Sequence, residues 1–208
     1  MTVLIVDYGR GNLFSLGQAL RQLGVPHEVS SDPEKLAKSK RVIFPGVGAF
    51  GDAMRELRER GLVEPFKAAA AKGTPILGIC VGCQLLLRKG EEFGEHAGLD
   101  IISGIVRRLP EPRAQDPAAM RIPNIGWRPI TVRADGSVLG PAGAGGMYYF
   151  VHSYAPWPEN PEHVTATIEM NGQEVPVAVQ RNNLIGVQFH PEKSGPAGLE
   201  LLARFTNA

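Results

Sequence analysis

A thiol, an imidazole and a carboxylate occur in this chain in contexts that suit nucleophilic chemistry. Cys80 ends the apolar run of Pro75-Ile-Leu-Gly-Ile-Cys-Val-Gly-Cys-Gln84, with Gly78 two residues before it and Gly82 two after. Helical spacing then begins at Gln84-Leu-Leu-Leu-Arg. This is the layout of a sharp strand-to-helix turn that lifts a reactive side chain above a sheet edge. The adjoining helix N-terminus favours a thiolate. Alone, the Gly-x-Cys-x-Gly pattern is equally a buried cysteine capping a core strand.

The second cluster is Gly186-Val-Gln-Phe-His-Pro-Glu-Lys-Ser194. An alternating apolar strand (Ile185, Val187, Phe189) leads to His190, and Pro191 holds His190 extended at the strand end. A cysteine nucleophile needs a base, and the base needs a third group to set its tautomer. Cys80, His190 and Glu192 supply those three roles. The third element, Phe44-Pro-Gly-Val-Gly-Ala-Phe50, follows the apolar Val42-Ile-Phe44. Its glycines let backbone N–H groups face a ligand without an intervening side chain. In acyl transfer each such donor to the oxyanion is worth roughly 3–4 kcal/mol.

These segments resemble a class I, triad-type glutamine amidotransferase. The likeness narrows to the glutaminase subunits of imidazole glycerol phosphate synthases through Val6-Asp-Tyr-Gly-Arg-Gly-Asn-Leu-Phe-Ser15, Pro45-Gly-Val-Gly-Ala-Phe-Gly-Asp52, Ile122-Pro-Asn-Ile-Gly-Trp127, Tyr149-Phe-Val-His-Ser-Tyr154 and Phe189-His-Pro-Glu-Lys-Ser194. The resemblance implies that Cys80 attacks the side-chain amide of glutamine, with His190 as base and then acid, and Glu192 orienting it. It implies an oxyanion hole from the backbone of Gly48 and Val81. Glutamine would be held by Gly48, Gln84 and Glu92, with Ser153 and Tyr154 receiving its carboxylate. Glu92, in an acidic pair with Glu91, is equally readable as a surface acid. The implied partner is a (β/α)8-barrel cyclase subunit that takes the ammonia through a tunnel. Ile122–Trp127 suits the docking surface, with Pro123, Asn124, Gly126 and the anchor Trp127 as contacts, and with Asn12 and Ser15 as further candidates. Two positions depart from the common pattern: Cys83 stands where many members have methionine, and Asn124 where histidine is frequent. A second thiol next to the nucleophile could be open to oxidation.

The elements that must position these groups are legible as alternating strands and helices. The pattern predicts strands at Val3–Val6, Val25–Val29, Val42–Phe44 and Ile76–Ile79, and helices at Asn12–Leu23 (with Gly24 as C-cap), Pro33–Lys38, Ala53–Arg60 and Leu62–Lys72. From Ile101 the texture is β: Ile105–Leu109, Ile130–Val132, Tyr148–Tyr154, Val164–Ile168, Val175–Gln180 and Leu184–Phe189, closed by a helix at Pro196–Phe205. Pro110–Ala119 and Gly140–Gly146 read as surface loops. The expected fold is a single α/β domain over residues 1–208, with a mostly parallel central sheet flanked by helices and a β-rich C-terminal half.

Composition agrees. The 208 residues are enough for one well-buried domain and short for two. A formal net charge of +1 gives no electrostatic case for nucleic acid or an acidic membrane surface. No apolar run approaches the ~18 residues of a membrane span. Met1–Asp7 reads as a first strand rather than a signal peptide. Two cysteines across a tight turn are poorly placed for a structural disulfide, which points to a cytoplasmic protein. Their C-x-x-C spacing raises a redox or metal motif, but there is no second pair for a four-thiolate zinc site. No cofactor is expected. Three other functions share some of these features: the glutaminase half of another synthase, a free-standing γ-glutamyl hydrolase, and a silent docking subunit. The Asp7–Asn12 and Pro123–Trp127 segments weigh against the first. Independence from any partner marks the second, and an intact triad weighs against the third.

Overall fold

The computed structural model describes residues 1–112, 119–133, 138–140 and 146–207. Its centre is an eight-stranded sheet in the order β2-β1-β3-β4-β14-β13-β12-β9. The strands are β1 (Val3–Val6), β2 (His27–Ser30), β3 (Val42–Gly46), β4 (Ile76–Cys80), β9 (Thr131–Val132), β12 (Val164–Met170), β13 (Gln173–Arg181) and β14 (Leu184–Val187). β2, β1, β3, β4 and β14 run parallel, whereas β13, β12 and β9 add antiparallel pairings. Five of the eight strands run parallel and the antiparallel three lie in the C-terminal half, as the expected mostly parallel sheet with a β-rich C-terminal half requires. The antiparallel half follows from short connections such as Asn171-Gly172, both at positive φ, which leave room only for hairpins.

In the parallel half β1, β3 and β4 are buried end to end, so they read as continuous apolar runs. The chain steps from β1 outward to β2 through α1 (Leu13–Gln22). It returns to β3 through α2 (Pro33–Lys38) and reaches β4 through α3 (Phe50–Glu59) and α4 (Val63–Ala71). Right-handed crossovers taken in both directions from β1 cover both faces of the sheet with helices. Gly24, at φ +67, follows the last turn of α1 as the glycine signal predicts.

Two smaller sheets complete the fold. β8 (Asn124–Pro129) pairs with β10 (Met147–His152), and β11 (Tyr154–Pro158) joins β7 (Ile102–Arg108), β5 (Leu87–Gly90) and β6 (His96–Ala97). The single strand expected over Tyr148–Tyr154 is thus two, divided at Ser153, each half belonging to a different sheet. The elbow helix is also shorter than its spacing suggested. α5 covers Val81–Leu85, and Arg88 already lies in β5. β5, β6 and β8 were not foreseen: β5 and β6 are short and lack apolar alternation, and the brief Ile125–Trp127 alternation of β8 lies between Pro123 and Pro129 in a segment read as a docking surface. α6 (Gly195–Asn207) closes the chain against β10. The loops expected at 110–119 and 140–146 fall largely outside the described residues. No helix among the described residues is long and apolar enough to cross a membrane.

Candidate active site

Cys80 is the last residue of β4 and immediately precedes α5, with φ 54° and ψ −114°. A side-chain-bearing residue in that region carries about 1–3 kcal/mol of strain, held by the surrounding packing. The flanking glycines show what imposes it. A Cβ at Gly82 would lie 1.8 Å from the Phe44 carbonyl oxygen, and one at Gly78 would lie 2.7 Å from the Gly82 carbonyl oxygen. The turn closes only because both side chains are absent. Cys83, one residue further, is fully buried with its sulfur against Gly186. Burial pushes its thiol up from the ordinary range and shields it from oxidants, so the oxidation expected of it is blocked by packing. Cys80 and Cys83 are both free thiols.

β14 lies beside β4 and carries the chain to His190 at the same sheet edge as Cys80. Phe189 is buried against Tyr148 and Phe150, with ring centroids 4.2 and 5.5 Å away. The His190 N–H donates to the Tyr149 carbonyl at 2.9 Å, and Ser194 Oγ donates to the His190 carbonyl at 2.6 Å. Pro191–Lys193 forms a 3-10 turn that brings Glu192 back onto its neighbour, with His190 Nδ1 2.9 Å from Glu192 Oε1. Both side chains are about 3% exposed. Nε2 of His190 has no protein hydrogen-bond partner among the described residues. Burial disfavours the imidazolium, but the Cys80 sulfur and the Glu192 carboxylate outweigh it and raise the His190 pKa to about 10.

A cleft of about 450 Å³ joins these residues to the glycine loop; Cys80, Val81, Gln84 and His190 line it with Val47, Gly48, Glu92, His152, Ser153 and Tyr154. A larger cavity of about 560 Å³ lies at the other end of the sheet, around Val3, Lys35 and Lys40, and holds none of the candidate catalytic side chains. The register of β3 with β4 pairs Gly46 with Cys80, which sets the Val47-Gly48 turn beside the sulfur. Gly48 has φ +94, a conformation that keeps side chains away from that loop.

Glu92 lines the cleft and is not merely a surface acid. Its Oε2 accepts from the Phe50 N–H at 2.9 Å, at the start of α3, where Ala49 offers no capping side chain. A carboxylate from 42 positions away thus caps a helix N-terminus next to the glycine loop. Ser153 and Tyr154 already use their carbonyls: Leu109 N donates to Ser153 O at 2.9 Å, and Gln84 and His152 engage Tyr154 O at 3.2 and 2.9 Å. Their N–H groups are what they can offer a ligand.

The β8–β10 ribbon forms one wall. Its strands pair Trp127 with Tyr149 and Ile125 with Val151, and Ile125, Trp127, Met147 and Val151 are exposed on one face. Pro123 is exposed beside them and Gly126 is partly so. Asn124 corrects the interface expectation. It stands an odd number of residues from Trp127, so strand alternation turns it to the opposite, buried face. There Asn124 Nδ2 meets His152 Nε2 at 3.0 Å, and Asn124 Oδ1 accepts from Arg128 Nε at 3.2 Å. Asn12 is also occupied: it caps α1, accepting from Ser15 N at 3.4 Å. Ser15 borders a hollow behind Pro191 and Glu192. Sequence reasoning missed His152 and Gln188 as site residues. Gln188 is fully buried, accepts from Gln84 at 3.0 Å and approaches the Cys80 sulfur at 3.7 Å. Its place two residues before His190, on the same side of an extended segment as that histidine, was the available signal.

The glutamine amidotransferase class-I family matches residues 4–208. The chain belongs to that family. Among relatives of this amidotransferase chain, the imidazole glycerol phosphate synthase subunit HisH of Moorella thermoacetica is 46% identical over 203 residues, covering 98% of this chain and 93% of the relative. The HisH subunits of Rhodopirellula baltica and Geobacillus thermodenitrificans are 44% and 43% identical, each covering 99% of this chain and 97% and 95% of their own lengths. Two solved structures share the fold. A glutamine amidotransferase superposes with TM-score 0.71 at 20% identity, covering 99% of both chains. PurLQS from Thermotoga maritima gives 0.72 at 19%, covering 99% of this chain and 97% of the other. Among the described residues no cluster of three or more His, Cys, Asp or Glu side chains is arranged to hold a metal ion.

Proposed function

We propose that residues 1–208 act as one domain that hydrolyses glutamine to glutamate and ammonia, as the glutaminase subunit of an imidazole glycerol phosphate synthase in histidine biosynthesis. One observation carries the reading: a strained cysteine and a buried His–Glu pair meet at a cleft floored by a glycine loop. His190 takes the proton of Cys80, whose sulfur attacks the δ-carbon of glutamine, forming an S–C bond. The carbonyl oxygen becomes an oxyanion facing the backbone N–H groups of Gly48 and Val81. His190 gives its proton to the amide nitrogen, the C–N bond breaks, and ammonia leaves a thioester. His190 then takes a proton from water as it attacks the thioester, and the S–C bond breaks to release glutamate. Glu192 keeps the imidazole oriented and balances its charge. Gln84, Glu92 and the N–H groups of Ser153 and Tyr154 hold the amino-acid end of the substrate.

Ammonia released into water is largely protonated near neutral pH and is then no nucleophile. A tunnel into a docked cyclase subunit of (β/α)8-barrel form, in a cytoplasmic heterodimer, avoids that loss. The exposed face of β8 and β10 around Trp127 suits that docking. Glutamate release is measured with this chain alone, then with a cyclase subunit and its ribonucleotide ligand, with Cys80→Ala as control. Low basal activity that rises strongly with the liganded partner and vanishes in Cys80→Ala supports the proposal. Activity that survives Cys80→Ala refutes the triad, and full activity without the partner assigns a stand-alone hydrolase.

A further inference from the structure

A run of buried amides ends at the nucleophile. Its direction is set by the one group in it that cannot donate, the Tyr154 carbonyl oxygen. Gln84 Nε2 lies 3.2 Å from that oxygen and 3.0 Å from the Gln188 side chain. An amide nitrogen facing the carbonyl makes Gln84 the donor in both contacts. The Gln188 atom that meets it must then be the oxygen. The remaining end of Gln188, 3.7 Å from Cys80 Sγ, is consequently its NH2 group. Gln188 is wholly buried and Gln84 nearly so, which leaves little water to compete for these contacts. The same ordering turns the free oxygen of Gln84 away from both partners, on a side chain that lines the cleft.

We propose that Gln188 is a further catalytic residue, whose side-chain amide donates to the Cys80 sulfur, holds its negative charge and fixes its position for attack. The donor comes from the chain interior, from the residue two before His190, so sulfur and imidazole are served by one short segment. The sulfur carries charge before it attacks and again as it leaves the thioester, and is neutral while bonded to carbon. Gln188 has no proton to lose and can donate to the sulfur at both charged stages. Its carbonyl, anchored by Gln84, ties the position of the nucleophile to a residue at the substrate cleft. The inference rests on Cys80 being the nucleophile of the proposed hydrolysis.

The test separates the two. The full chain, Gln188→Met (similar volume, no donor) and Gln188→Glu (an acceptor in place of the donor, with an oxygen retained for Gln84) are alkylated with iodoacetamide across a pH series. Modification of Cys80 is resolved from that of Cys83 by fragment mass spectrometry, and circular dichroism checks the fold. The pH midpoint of Cys80 alkylation is expected to rise by about one unit in Gln188→Met and by more in Gln188→Glu, the size expected for one lost hydrogen bond to a charged group. Glutamine turnover with the cyclase partner falls about tenfold in step. A side chain that merely packs would lower stability and leave the midpoint in place. A midpoint within about 0.2 pH units of wild type in either folded variant overturns the proposal. Should Gln188→Met fail to fold, Gln188→Glu decides alone. Alkylation reads the sulfur without turnover, so failure of the hydrolase reading, seen as activity surviving Cys80→Ala, is distinguished from failure of this one.

Discussion

His152 should give this protein a measurable loss of stability in mild acid. Its Nδ1 donates to the Tyr154 carbonyl at 2.9 Å, which requires Nε2 to be the acceptor of the Asn124 amide at 3.0 Å. Burial disfavours its charged form and drives its pKa down to about 4, and the positive His190 nearby acts in the same direction. Between about 4 and 6.5 the unfolded chain therefore binds a proton at this position that the folded chain does not. Stability rises with pH in that window, is complete above 6.5, and is lost as pH falls toward 4. A displacement from 6.5 to about 4 corresponds to about 3 kcal/mol. His190 has the opposite displacement, upward to about 10, so it is protonated in both states below 6.5 and adds no slope there. The assay is urea unfolding at several pH values between about 4 and 7, for wild type and for His152→Gln, whose amide supplies a donor and an acceptor without titrating. Subtracting the two curves removes the carboxylates common to both. The wild type should lose about 3 kcal/mol more than the variant across the window. A difference below about 1 kcal/mol would refute the neutral, Asn124-bound tautomer and the reasoning built on it. Glutamine turnover should fall through this group only as pH approaches about 4, where His152 of the folded chain itself takes a proton, and a protonated Nε2 opposes the Asn124 amide and loosens the carbonyl that also anchors Gln84.

Gly82→Ala places a methyl 1.8 Å from the Phe44 carbonyl and should cost about 3 kcal/mol or more in urea unfolding, with loss of Cys80 alkylation at neutral pH; wild-type stability would contradict the elbow packing. Glu192→Gln should lower kcat about a hundredfold, since a charge-assisted hydrogen bond to His190 is weakened, and should also lower thermal stability, since the buried imidazolium loses its counter-charge; wild-type stability would argue against a charged His190. Glu92→Ala should cost about 1 kcal/mol through the uncapped α3 and raise KM, whereas Glu92→Gln should keep most of the stability because it still offers an acceptor to Phe50. Trp127→Ala, about half exposed on the ribbon, should weaken binding to the cyclase subunit by about 2 kcal/mol in titration calorimetry and leave urea stability nearly unchanged; unaltered affinity would move the docking surface elsewhere.

Much of the fold was legible because local rules and tertiary demands agree. The fully apolar stretches β1, β3 and β4 can only be strands buried on both faces, and α2 begins at Pro33 behind the capping Asp32 as such sequences do. The elbow was legible for the same reason, since only glycine satisfies the close approaches at positions 78 and 82. The two halves of the Tyr148–Tyr154 segment were not separable, because a strand that changes sheets at Ser153 has the same residue pattern as one that continues. Cys80, His190 and Glu192 announce themselves in sequence by residue type and by the glycines and proline that shape their backbone. Only the folded chain decided that Glu92 caps α3, that Asn124 turns inward, and that Gln188 bridges Gln84 to the sulfur. Each of these depends on a partner between 28 and 108 positions away. Side-chain type and spacing record what a segment can do locally, whereas the Asn124 and Gln188 pairings arise from the register of β8 with β10 and of β4 with β14, and the Glu92 cap from the docking of α3 against the segment after β5, none of which a single segment contains.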